Sequence, residues 1–199
     1  LFLLPAIFAL SIPFIGYIKA QSWREASAIF AAAGFGWFLA STYWVSNSLV
    51  ASVPSNWFLV PLMALALALT LASFWAVAGA LSFSFGIRPL ARILWLMIFF
   101  CLSEWARGFV ATGFPWNLTG SLFAVDLASM QAASIIGVYG LCVIAVTFAA
   151  APAFWALGHR RLSIIAVILP IMLAAAGAIR LSGAPVLLVP SNAGPIVRL

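Results

Sequence analysis

"WFLVPLMALALALTLASFWAVAGALSFSF", residues 57 to 85, holds no charged side chain. At about 1.5 Å per residue such a helix outlasts a hydrocarbon core of about 30 Å, which takes roughly 20 residues to cross. Working outward from it, apolar runs between polar breaks give six candidate spans. They lie at about 1–18, 27–49, 57–85, 90–110, 126–157 and 162–181. The fold expected is all-α, a polytopic transmembrane helical bundle over residues 1–181. Composition agrees: 66% of the residues are hydrophobic and 6% charged, with a mean hydropathy of +1.23. So few charges cannot cover the surface of a soluble protein of this size. The third and fifth spans have length to spare for tilt. Pro5, Pro13, Pro152 and Pro170 fall inside spans, where neighbouring helices satisfy the freed carbonyls.

The net charge of +6 is spread over short connections without a continuous basic stripe, so a nucleic-acid partner is not expected. The connections alternate instead. Lys19 and Arg24 follow the first span, Arg88 and Arg92 the third, and His159, Arg160 and Arg161 the fifth. The intervening segments 50–56 and 111–125 hold no Lys or Arg. By the positive-inside rule, 19–26, 86–92 and 158–161 are cytoplasmic and 50–56 and 111–125 face outward. The chain opens at Leu1 inside an apolar run, without Met or a basic leader, so a segment preceding it is expected. Residues 182–199, "SGAPVLLVPSNAGPIVRL", read as an exit linker whose last four residues, 196–199, begin a strand.

Small residues at spacing four (Ala32, Gly36 and Ala40; Ala72, Ala76 and Ala80) are expected to be helix-packing faces. Polar and aromatic residues gather at the outer pole. Tyr43, Trp44 and Asn47 close the second span, while Gln131 and Tyr139 open the fifth near Asp126. Interfacial aromatic residues of this kind also form ordinary belts. Glu104 and Arg107 stand out more. Three residues apart, they share a helix face about 9 Å inside the expected end of the fourth span. An unpaired charge at a span centre costs about 2.5–3.5 kcal/mol, less near the edge. Two readings stay open for the pair: a tie between helices, or part of a site facing the outer leaflet. The turn behind them is mechanically plain. Gly113 allows the angles that end a helix, and Pro115 forces Phe114 to be extended. Trp116 can then enter the interface while Asn117 offers an amide.

No catalytic set emerges from these residues. The single His159 and Asp126 are placed on opposite sides of the membrane, so no Ser-His-Asp triad can form. No metal-ligand spacing or phosphate loop is present, and no cofactor is expected. Cys101 and Cys142 lie in apolar spans, Cys101 one helical turn from the Glu104 carboxylate and Cys142 without a charged neighbour, and behave as small hydrophobes.

"SEWARGFVATGFPWN" at 103–117 and "QAASIIGVYGL" at 131–141 resemble the membrane region of bacterial apolipoprotein N-acyltransferases. "GFGWFLASTYWVSNSL" at 34–49 and "FWAVAGALSF" at 74–83 follow the same order. The resemblance implies an inner-membrane enzyme with eight transmembrane helices and a periplasmic nitrilase-like domain between the seventh and eighth. A Glu-Lys-Cys triad there takes an acyl chain from a phospholipid donor as a thioester. It passes the chain to the diacylglyceryl-cysteine of an apolipoprotein acceptor. The six spans would then correspond to helices two to seven, and 196–199 would open the catalytic domain. No catalytic residue of the family maps onto this chain, so the segment alone is expected to be inactive. What maps is the membrane motif Glu104, Arg107, Gly113, Phe114, Pro115 and Trp116, implying an outer opening for lipid and lipoprotein. A transporter- or channel-like segment is the rival class, and a bare scaffold a third; repeats and broken helices meeting at mid-membrane would favour the transporter.

Overall fold

A computed structural model describes residues 3–52, 54–110 and 113–183; the expected linker beyond 183 and strand at 196–199 lie outside them. The described residues form helices α1 (Leu3–Tyr17), α2 (Trp23–Ser52), α3 (Val60–Phe85), α4 (Pro89–Ala106), α5 (Leu127–Met130), α6 (Ala133–Ala156) and α7 (Arg160–Ser182). Two 3₁₀ turns, Pro54–Leu59 and Thr119–Val125, complete them, and there is no strand among the described residues. The protein is an all-α membrane bundle. Helices α2, α3, α4, α6 and α7 are long and apolar enough to cross a membrane. The first of the six expected spans is represented by α1, whose 15 residues rise only about 22 Å.

Local chemistry sets the helix ends. At the start of α2, Ser22 Oγ accepts from the Glu25 N–H at 3.2 Å, and the Glu25 carboxylate reaches back to the Gln21 N–H at 2.9 Å. This reciprocal cap starts α2 at Trp23, four residues before the expected boundary at 27. Helix α4 stops at Ala106 rather than 110, because the chain beyond it tightens into a turn. The run at 126–157 is divided. Asp126 caps the short α5 by accepting from the Ser129 N–H at 2.9 Å and its hydroxyl at 2.8 Å. These bonds hold its exposed carboxyl below the usual carboxylate range, so the cap is lost as pH falls through that lowered value. Within α6, Gly137 takes φ 67°, which kinks the helix near its start.

Packing is aromatic at the centre. Phe14, Phe30, Phe38, Trp75 and Phe100 are fully buried, with ring centres at 4.6 Å for Trp75–Phe100 and 5.2 Å for Phe38–Trp75. Helices α2 and α3 share the most extensive contact, and α4 lies against α3. Helix α6 closes the bundle against α1 and α4, while α7 rests on α6 and α5. At the basic pole the Tyr17 hydroxyl meets Ser82 Oγ at 2.7 Å and donates to the Arg92 carbonyl at 3.5 Å. The connection bearing Lys19 and the first turn of α4, which carries Arg92, therefore lie side by side. Large apolar side chains such as Leu62, Leu69, Ile98 and Ile171 are exposed around the outside, as a lipid-facing surface requires.

The two small-residue stripes separate. Ala72 is buried beside Gly34, whose missing Cβ leaves room for the Ala72 backbone. Ala32, Gly36 and Ala40 are not buried against a neighbouring helix. They are exposed, and a Cβ on Gly36 would meet nothing within 4 Å. Gly79 packs more tightly than Gly34: a Cβ there would stand 2.7 Å from the Ala26 carbonyl oxygen and 3.1 Å from the Phe30 ring. Gly79→Ala is expected to lower unfolding stability in mixed micelles by about 1–3 kcal/mol through overpacking. Gly36→Ala is expected to leave it unchanged or raise it by up to about 1 kcal/mol, from helix propensity. Equal effects of the two would remove this distinction between the faces.

Candidate functional site

The last turn of α4 carries Glu104 and Arg107 inward. Both are sealed from solvent, at 0% and 1% exposure. Arg107 Nε donates to Glu104 Oε1 at 3.1 Å, and Nη2 approaches Oε2 at 3.4 Å. The carboxylate is saturated from two further elements. Trp75 Nε1 on α3 donates to Oε1 at 3.1 Å, and the Thr119 backbone N–H donates to Oε2 at 2.7 Å. Arg107 spends its remaining reach on the loop: Nη1 donates to the carbonyls of Phe114 at 3.0 Å and Trp116 at 2.7 Å. Its guanidinium also lies 5.1 Å from the Phe38 ring centre, a cation–π contact with α2.

One pair thus gathers α2, α3, α4 and the 113–119 loop. The loop backbone is shaped to match. The Phe114 N–H donates to the Arg107 carbonyl at 2.7 Å, Gly113 takes φ 74°, and Asn117 takes φ 54°. Asn117 holds that left-handed conformation while its Nδ2 donates to the Ser41 carbonyl on α2 at 2.7 Å. The amide of Asn117 is therefore engaged within the fold. Phe114 packs into the core, whereas Pro115 and Trp116 are exposed, Trp116 at 60%.

The residues expected from the sequence fall into four groups. Glu104, Arg107, Gly113, Phe114 and Asn117 make or shape the polar knot. Tyr43, Trp44, Asn47, Pro115 and Trp116 are exposed. Tyr139 stands close by, its hydroxyl 3.1 Å from where a Gly108 Cβ would be. Gln131 lies apart at the α5–α6 junction, donating to the Leu127 carbonyl at 3.2 Å. Trp75 and Thr119 were not selected, yet they complete the Glu104 shell. Trp75 carried a usable signal, since a Trp in the middle of a span is far from the interfaces where Trp belongs. Thr119 contributes through its backbone and carried none. Cys101 is half-buried and Cys142 buried; the Gly120 N–H donates to Cys142 Sγ at 3.2 Å.

Chemically, the pair is fully occupied within the protein. A carboxylate with donors from three residues and a guanidinium with two carbonyls anchor a loop, and neither has a face open to substrate. The surface such an anchor offers is the loop it holds, with Trp116 at its tip.

Residues 1–151 match the family described as apolipoprotein N-acyltransferase N-terminal domain. The chain belongs to this family. Among its relatives are apolipoprotein N-acyltransferases of Rickettsia bellii, 34% identical over 146 residues, and Caulobacter vibrioides, 36% identical over 129 residues. That of Allorhizobium ampelinum is 38% identical over 128 residues. These matches cover 73%, 64% and 64% of this chain but only 29%, 24% and 24% of the relatives, so the chain spans less than a third of their length. No solved structure matches the chain. All twelve candidate residues, and the whole knot from Ser41 to Thr119, lie inside the region matched by the N-acyltransferase N-terminal-domain family.

The knot makes a quantitative expectation. Glu104→Ala or Arg107→Ala leaves a buried charge unpaired, which costs about 3–5 kcal/mol. The double change removes both charges but orphans the Thr119 N–H and two loop carbonyls. It is expected to cost less than the sum of the singles by about 0.5–3 kcal/mol, yet to stay well below wild type. Unfolding of the four proteins in mixed micelles measures this, and strict additivity would show that the two side chains are not coupled.

Proposed function

We propose that this chain is the membrane part of an enzyme that moves an acyl chain from a phospholipid donor to the N-terminal diacylglyceryl-cysteine of an apolipoprotein. The family membership supports the reaction class. The observation that carries the local role is the buried Glu104–Arg107 pair, which fixes a loop and exposes Trp116 at the pole free of Lys and Arg loops. That loop and the exposed Tyr43 and Trp44 form the rim past which lipid and lipoprotein approach. Glu104 and Arg107 act through the loop as positioning residues.

The thioester chemistry belongs, in this reading, to a nitrilase-like domain beyond the residues described here, on the periplasmic side. The groups on the page fit a supporting part. Lys19 sits at the basic pole, far along the bundle from Glu104, and both cysteines are lodged among helices. The charged connections support an orientation in a bacterial inner membrane with residues 19–26, 86–92 and 158–161 cytoplasmic and 50–56 and 111–125 periplasmic.

A chimaera tests the reaction class. Residues 1–151 replace the matching segment of the Caulobacter vibrioides protein in cells depleted of their own enzyme. N-acylation of a reporter lipoprotein is expected to return, and Arg107→Ala in the chimaera to reduce it at least tenfold. A chimaera that reaches the membrane folded and restores no N-acylation would overturn the proposal.

Sidedness has its own test. After Cys101 and Cys142 are replaced by Ala, a single cysteine at Gln21 or His159 is expected to resist an impermeant thiol reagent in intact spheroplasts. One at exposed Ser121 is expected to label. The reverse pattern would invert the orientation.

A further inference from the structure

The Gly-Val-Tyr-Gly stretch at 137–140 takes no part in the knot, yet the chain on either side of the 113–119 loop rests on it. Gly137 takes φ 67° and ψ 176°, a combination that essentially only glycine visits. A Cβ there would meet nothing within 4 Å, so the glycine serves the backbone angle and not packing. In a regular helix Cβ atoms four residues apart stand about 5–6 Å from each other. Here a Cβ on Gly140 would stand 2.6 Å from the Ile136 Cβ, because the kink brings position 136 down onto position 140. Tyr139 lies between the two glycines.

The first regular turn after the kink is a seat for the loop that Arg107 holds. Gly120 lies on it at one end. A Cβ on Gly120 would collide with the Val138 carbonyl oxygen and stand 2.7 Å from the Cys142 nitrogen, and the Gly120 N–H donates to Cys142 Sγ at 3.2 Å. Gly108 lies on it at the other end, where a Cβ would stand 3.1 Å from the Tyr139 hydroxyl and 3.8 Å from the Pro115 Cβ. A Cβ on Gly113 would collide with the Gly108 carbonyl oxygen, so these two backbones are also in contact. A line of contact therefore runs from the phenol through Gly108 to Gly113 and Pro115, and so to Trp116. Arg107 holds the same turn through the Phe114 and Trp116 carbonyls. Two hydrogen bonds from one side leave a turn free to tilt about them. A stiff ring under Gly108 removes that tilt, as a supporting shell on a helix does for a site built on a loop.

We propose that Tyr139 is a further positioning residue for acyl transfer, carried to the rim by the Gly137 kink. It braces the Trp116 turn from the α6 side, as Arg107 holds it from the α4 side. What the rim does rests on the acyl-transfer reading; how the rim is held does not. Tyr139 is only half-buried, so its removal spares the fully buried core.

Two measurements separate bracing from a plain loss of stability. In the first, a nitroxide is attached at Trp116→Cys in the full chain, reconstituted in nanodiscs, and its mobility is read by electron paramagnetic resonance. The chain without the added cysteine is the blank. Tyr139→Ala is expected to shorten the rotational correlation time by about twofold or more, while Tyr139→Phe keeps the ring and changes it little. Gly137→Ala adds no clash and touches nothing at the rim, and is expected to act like Tyr139→Ala. Gly108→Ala presses a methyl against the phenolic oxygen, which Tyr139→Phe removes. The double variant is therefore expected to lie closer to wild type than Gly108→Ala alone. The second readout is N-acylation by the chimaera. Tyr139→Ala is expected to lower kcat/KM by about tenfold, as a displaced positioning element does, and Tyr139→Phe to keep most of it. Nitroxide mobility unchanged in both Tyr139→Ala and Gly137→Ala would overturn the proposal. So would an equal loss of activity in Tyr139→Phe and Tyr139→Ala, which would make the phenol a substrate contact. The mobility result decides the bracing even where the chimaera restores no N-acylation, so the two readings fail separately.

Discussion

A charge inside a membrane bundle must be paired, and pairing in this protein organises everything around it. Glu104 and Arg107 sit on the same turn of α4, so their attraction alone would tie nothing together. The architecture follows from the lone pairs and N–H groups left over once the two have met. A carboxylate accepts more hydrogen bonds than one Nε–H can supply, and a guanidinium donates more than one carboxylate can take. The surplus reaches Trp75 on α3, the Thr119 backbone, and two carbonyls of the loop. In water those partners would be replaceable. Among buried aromatic rings they are not.

The pair therefore explains an apparent contradiction in the sequence, where a rigid aromatic turn follows a charged helix end. A loop with Gly113 and Asn117 in the left-handed region would expose several backbone groups at the membrane surface. Arg107 removes two carbonyls from that account, and the Asn117 amide ties the loop to the Ser41 carbonyl on α2. The cation–π contact with Phe38 extends the tie to the same helix. Family membership and local physics meet here, because the charged turn and the aromatic loop fall within the same matched region.

Much of this was legible before any coordinates. The apolar runs gave the helical class, and the three-residue spacing of Glu104 and Arg107 indicated their pairing. Helix ends were less legible, because they are decided by single hydrogen bonds. The Ser22–Glu25 cap is a readable box that extends α2, whereas the early stop of α4 follows from the tight backbone turn just past Ala106. The kink at Gly137 depends on a backbone angle that apolar periodicity does not encode. Small-residue spacing was legible as a pattern but not as an outcome. Ala72 became contact, and Ala32, Gly36 and Ala40 became an open wall, because spacing fixes a face and not its neighbour.

The order in which the knot's members occur along the chain bears on biogenesis. Trp75 precedes Glu104 by 29 residues, Arg107 follows it by 3, and Thr119 follows it by 15. Every ligand of the carboxylate has thus left the ribosome soon after the carboxylate itself, before α6 has begun. By contrast, the packing of Phe8 on Phe148 waits for the whole of the intervening chain. The insertion machinery can therefore release the costly charge already neutralised by a local cluster. The late helices α6 and α7 then dock onto a bundle whose electrostatic problem is solved.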